Sequence, residues 1–225
     1  MSTRYESVQI AAIYPDVFHV PAPVAPVGGD VWPRKLGVFI RHTAAGAEAT
    51  KDTCEPTPEL ACGQFGLVPR WVKSASDAKL RSTKLVNARS ETVTTSNNFR
   101  DAWMNGQRCI VPMMGFVDDD WRSGRAVPTR IASADGKPMG VAGLWESWTG
   151  ADGEVIVSYT VLTVNANSHA LMSRYQQPGN EKRMLAILNE GAYDAWLSAR
   201  RENAREFMRA YPANWLTANP VEKSR

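Results

Sequence analysis

Apolar residues fall along this chain in short runs that suit strands, with little of the three-and-four spacing of long helices. Residues 37–42, 64–68, 108–111, 128–132, 139–145, 155–164 and 184–188 each have the length and the β-branched or aromatic content of a strand. Asp135-Gly136 and Asp152-Gly153 lie between such runs and read as hairpin turns. Helical spacing is confined to residues 98–106, 168–175 and the stretch from 189 onward. There Tyr193, Trp196 and Leu197 share a face, and Phe207 and Met208 continue the packing in a second helix. Four prolines and two glycines between 21 and 33 mark an irregular connection. With no alternation of strand and helix, the pattern predicts an α+β fold: a largely antiparallel, barrel-like sheet with a few short flanking helices. One domain over residues 1–225 is expected, since no internal repeat divides the chain.

Composition narrows this picture. At 44% hydrophobic residues the chain can build a proper core, and no run of eighteen apolar residues is available to span a membrane. The start carries no basic and apolar leader, so a soluble, cytoplasmic monomer is expected. Cys54, Cys62 and Cys109 are odd in number and lack C-x-x-C spacing, which supports neither a disulfide framework nor a zinc site. His19, His42 and His169 are scattered, so no metal or other cofactor is implied.

Charge adds a direction. Between Arg70 and Arg108 stand eight basic residues against three acids, a local +5 in a chain whose total is +3. Such a segment is the footprint of a phosphate-binding face, although a solvated surface has the same composition. Trp71 lies within it, flanked by Arg70 and Lys73, and an aromatic between cations at a strand end suits stacking of a base. A core tryptophan is the alternative. Asn87 and Arg89 follow, then Arg100 at a helix start. Asp118, Asp119 and Asp120 form the one acidic cluster. If the preceding strand continues, Asp118 and Asp120 share a face, as a Mg²⁺-dependent nuclease would need, but further carboxylates at helpful spacing are missing.

Several linked segments then resemble one family in order. Gly66-Leu67-Val68-Pro69-Arg70-Trp71, Asn87-Ala88-Arg89-Ser90-Glu91-Thr92, Arg108-Cys109-Ile110-Val111-Pro112 with Gly115-Phe116, and Ala142-Gly143-Leu144-Trp145-Glu146 are similar to the SOS-response-associated peptidase family. The opening Met1 to Tyr5, Asp30-Val31-Trp32-Pro33 and the stretch from Thr160 to Leu188 extend the likeness over most of the chain.

The resemblance implies processing of abasic sites in single-stranded DNA. Family members place a cysteine after the initiator methionine, and the freed α-amine and thiol capture the sugar aldehyde. An α-amine has a neutral fraction roughly several hundredfold larger than that of lysine at pH 7, which suits imine formation. This chain has Ser2 at that position, so any ring closure on the imine uses a hydroxyl. If Met1 stays attached, the amine moves about 3.8 Å away along the chain. The family's glutamate is matched by Asp118, one methylene shorter, and its histidine by Gln176, which cannot relay a proton. Asn87, which orients the N-terminus, is unchanged. Arg4, Pro33, Trp71, Arg89 and Arg100 match positions that grip phosphates or wedge against bases, and Lys73 joins them by its place beside Trp71. Two readings follow: an abasic-site protein forming an imine or lasting adduct through Ser2, or a relative that has kept only non-covalent single-stranded DNA binding. Lyase or peptidase chemistry is implied for the first alone.

Overall fold

The computed structural model describes residues 3–25, 27–43 and 56–221. In chain order the elements begin with β1 (Arg4–Ser7), α1 (Ile13–Phe18), β2 (Asp30–Val31), β3 (Leu36–His42) and β4 (Pro58–Phe65). Then come α2 (Ala75–Ser82), β5 (Asn87–Arg89), α3 (Arg100–Met104), β6 (Arg108–Asp120) and β7 (Val127–Ser133). β8 (Met139–Thr149), β9 (Val155–Asn165), β10 (Arg183–Leu185), β11 (Ile187–Leu188), α4 (Tyr193–Ser198) and β12 (Leu216–Pro220) complete the order.

Five strands close on themselves. β8 pairs with β9, β9 with β4, β4 with β3, β3 with β6, and β6 returns to β8. Closure removes open edges from these five strands. Pairing is antiparallel except where β4 and β5 run parallel to β9, so the architecture is the mixed, barrel-centred α+β fold that the pattern predicts. β6 is the hub, pairing with β1, β3, β7 and β8. Its first half is apolar without alternation because the barrel interior lies on one side and α4 on the other, and Cys109, Ile110, Val111 and Met113 are all buried. Trp196 of α4 donates from Nε1 to the Cys109 carbonyl at 2.8 Å, which satisfies its polar edge inside this packing.

The structure departs from expectation at several places. The run at 64–68 ends as a strand at Phe65. Gly66 takes φ +111°, and a Cβ there would lie 2.2 Å from the Ser82 carbonyl, so the backbone turns away and carries Trp71 toward the surface. β7 and β8, joined through Asp135-Gly136, do not form a hairpin with each other; both pair with β6 instead. The Asp152-Gly153 turn does join the paired strands β8 and β9. Within 168–175 only a 3₁₀ turn, Met172–Arg174, forms. The His169 ring accepts at Nδ1 from the Leu171 and Met172 amides and meets the Tyr211 carbonyl through Nε2 at 2.7 Å, an alternative to helical bonding. The second helix near Phe207 is likewise a 3₁₀ turn, Ala204–Phe207, with Phe207 edge-on to Trp196.

Candidate functional site

The amino end of β1 is held against β6. Arg4 is in register with Val117, so the first described residues lie beside Asp118. Tyr5 fixes this strand from within: its hydroxyl meets that of Tyr159 at 2.5 Å, and its ring packs edge-on against Phe65. Ser2 itself lies outside the described residues.

A small pocket lies at this end of the sheet, and its lining brings together Asn87, Asp118 and Gln176, with Thr163 and Arg183 behind them. The three expected residues come from β5, the far end of β6 and the segment before β10. Asp118 is buried, and burial raises its pKa above the usual carboxylate range. Its Oδ1 accepts from the Asp119 amide at 3.0 Å and its Oδ2 from Gln176 Nε2 at 3.0 Å. Two residues along the same strand, Asp120 goes the other way. Hydrogen bonds from Arg122 at 2.6 and 2.9 Å hold its carboxyl below the usual range.

Gln176 is fixed in one orientation. Its Nε2 also donates to the Arg183 carbonyl at 2.6 Å, and its Oε1 accepts from the Arg183 amide at 2.9 Å. Exchanging the amide's oxygen and nitrogen would put donor against donor and acceptor against acceptor, so an N–H must point at Asp118. Its backbone takes φ +67°, held by its own amide's bond to the Asp119 carbonyl and by Lys182 Nζ on its carbonyl at 2.8 Å. The pocket therefore offers a buried carboxyl faced by a neutral donor.

Arg183 is the residue that sequence reading missed. It is 2% exposed, forks onto Glu91 at 2.7 and 3.0 Å, and donates to the Thr163 carbonyl at 2.7 Å. Burial tends to raise the Glu91 pKa, but the hydrogen bonds and charge of Arg183, together with backbone N–H donors, outweigh it and leave the carboxyl below its ordinary value. Glu181 links this buried centre outward, meeting Arg183 Nη1 at 3.0 Å and Arg89 Nη1 at 3.0 Å. The signal available in the sequence was a cluster of charges, Glu181-Lys182-Arg183, abutting an apolar run.

The outer face is cationic but largely paired. Trp71 is 40% exposed, with its Nε1 donating to the Asn97 carbonyl at 3.0 Å and Arg81 stacked over its ring at 4.7 Å. It is neither a core residue nor a free platform. Arg70 bonds the buried Glu146 at 2.7 Å, Arg81 bonds Asp77, and Arg100 faces Asp101 at 3.6 Å. Arg108 lies buried between Trp103 and Trp196, where desolvation lowers its pKa. Of the eight basic residues, Lys73, Lys79 and Lys84 remain exposed without an ion pair among the described residues. Arg4 lies over Trp32 at 4.9 Å and reaches Asp30 at 3.4 Å, beside the half-buried Pro33. None of the six expected DNA-binding residues, Arg4, Pro33, Trp71, Lys73, Arg89 and Arg100, lines the pocket itself.

Among the described residues no group of three or more His, Cys, Asp and Glu is placed to hold a metal ion. Cys62 is exposed, Cys109 is buried with its thiol pKa raised by that burial, and Cys54 lies outside the described residues. No helix among the described residues is long and apolar enough to cross a membrane.

Comparison with known proteins places the chain in a family. The family model of the SOS response associated peptidase (SRAP) matches residues 22–224. The abasic site processing protein YoqW of Bacillus subtilis is 28% identical over 72% of this chain and 72% of its own length. The abasic site processing protein HMCES of Gallus gallus is 26% identical over 70% of this chain, which spans about half (51%) of that relative. A crystal structure of a Bordetella bronchiseptica protein superposes with a TM-score of 0.87 at 40% identity, covering 98% of this chain and 100% of that one.

Proposed function

The chain belongs to the SOS response associated peptidase family, and from that premise we propose that it processes abasic sites in single-stranded DNA as a single domain with its chemistry at Ser2. The observation that carries this reading is the convergence of Asn87, Asp118 and Gln176 on one pocket beside the amino end of β1. Two relatives bear the name abasic site processing protein, which supports carrying that substrate class to this chain.

With Met1 removed, the Ser2 α-amine attacks the aldehyde carbon of the ring-opened sugar, and water leaves to give an imine. Asn87 orients the amine. Asp118, whose raised pKa suits it to hold and release a proton, serves the addition and the loss of water. The Asp118 carboxylate then takes the proton alpha to the imine, the electron pair expels the 3′ phosphate and cleaves the strand by β-elimination, and water hydrolyses the imine to free the Ser2 amine. Arg4, Pro33, Trp71, Lys73, Arg89 and Arg100 grip the strand on either side.

A second reading, non-covalent holding of single-stranded DNA, is favoured by the fixed Gln176 amide, which occupies Asp118 with a group that cannot exchange a proton. One experiment separates the two. Protein shown by mass spectrometry to begin at Ser2 is mixed with an oligonucleotide bearing one abasic site, with and without borohydride. A trapped adduct or accelerated cleavage is expected. Neither product, with the oligonucleotide still bound, overturns the covalent reading in favour of the second.

A further inference from the structure

The two oxygens of the Glu181 carboxylate face different ways. Oε1 is turned inward, accepting from Asn165 Nδ2 at 2.6 Å and from Arg183 Nη1 at 3.0 Å. Oε2 is turned outward and pairs with Arg89 Nη1 at 3.0 Å. Arg183 does not depend on this charge, because Glu91 already receives its fork through both oxygens. Arg89 is in the opposite position. Its side chain is 51% exposed, it stands two residues from Asn87 on β5, and Glu181 is its ion-pair partner among the described residues.

We propose that Glu181 is a built-in competitor for DNA phosphate, holding Arg89 at the rim of the pocket while cancelling part of its charge. This rests on the DNA-binding reading above and adds a residue that sets its strength. A guanidinium in contact with a carboxylate presents little net charge to an arriving anion, and the same carboxylate repels phosphate. To engage Arg89 a phosphate must displace or share Glu181. Hydrogen bonding from Asn165, with the charges of Arg183 and Arg89, holds the Glu181 carboxyl below the usual range, so the competitor is ionised at neutral pH. The other end of the carboxylate is anchored on the buried Arg183, so the competitor does not drift off into solvent when phosphate arrives. The consequence is a grip kept below its full strength on ordinary single strands, with selectivity left to what the pocket recognises.

The test is binding of a fluorescent oligothymidylate, followed by anisotropy at several salt concentrations, by wild type, Glu181→Gln, Arg89→Gln and the double variant. Glu181→Gln is expected to bind about two- to fivefold tighter at low salt. The slope of log affinity against log salt should steepen by about 0.7, the increment for one further phosphate contact on a single strand. In the Arg89→Gln background the same substitution should change neither quantity. Unchanged or weaker binding by Glu181→Gln, or an equal gain without Arg89, overturns the proposal. Should Glu181→Gln melt below the assay temperature, Glu181→Asp takes its place with the same two expectations, because it keeps the charge beside Arg183 but is a methylene short of spanning to Arg89. Equal binding by wild type and variant removes this inference alone. Binding by none of the proteins removes the DNA-binding reading with it.

Discussion

The inner pocket and the outer cationic face solve opposite electrostatic problems with the same few residue types. Inside, the Asp118 carboxyl is removed from water, and that burial raises its pKa although the Gln176 amide and a backbone N–H donate to it. Outside, Glu181 is only a short distance along the chain from Gln176, yet the Asn165 side chain donates to it, guanidiniums clamp it, and its pKa falls. A carboxylate's neighbours, more than its place in the chain, decide whether it can act on a proton or only balance a charge. Arg183 belongs to both regions. Its backbone fixes Gln176 and its side chain holds Glu91 and Glu181.

The contrast breaks most completely if Arg183 is removed. Arg183→Met takes the guanidinium from Glu91 and Thr163, which keep only backbone donors, and a loss of about 2 kcal/mol in unfolding free energy is expected by urea titration. Arg183→Lys should recover only part of it, since an ammonium cannot reproduce the fork. A loss below the error of the titration would mean that the two regions are not joined through this residue.

The outer face is sharpened next by Trp71. Trp71→Ala should weaken binding of an oligothymidylate about tenfold to a hundredfold, as expected for one stacked base. Trp71→Phe, which keeps a ring but not the bond to Asn97, should retain most of the affinity. Equal losses from both would assign the effect to that bond and not to stacking.

The smallest effect carries the sign of the inner region. Because burial raises the Asp118 pKa, the folded protein holds that proton more tightly than the unfolded chain. Stability from this group is full below its ordinary value of 3.8 and declines as pH rises through the raised value. Asp118→Asn lacks that slope but leaves one of two donors without an acceptor, at a cost of about 1 kcal/mol. Its deficit against wild type, measured by urea unfolding across this pH range, should therefore shrink as pH rises. A deficit that grows with pH would show that Asp118 behaves like the salt-bridged Asp120.

Legibility from sequence followed the range of the interactions. The strands β3, β8 and β9 were visible because each carries its own apolar run, whereas α2 was not. That helix buries only Ala78 and Ser82, exposes Leu80, and starts on the Ser74 side chain, so it has no apolar stripe to find. Asn87, Asp118 and Gln176 were found through resemblance to a family, and Arg183 was passed over because it stands one residue outside the apolar run at 184–188.

By itself the sequence determined the kind of protein: short apolar runs that must close into a sheet, and ordered motifs of one family. Only the tertiary structure decided which charges remain available. Five of the eight bases counted as one cationic segment are paired or buried, Arg70 by Glu146 and Arg89 by Glu181, acids that lie far along the chain. Net charge is additive along a sequence, whereas the field that a ligand meets depends on contacts between residues whose separation no local pattern records.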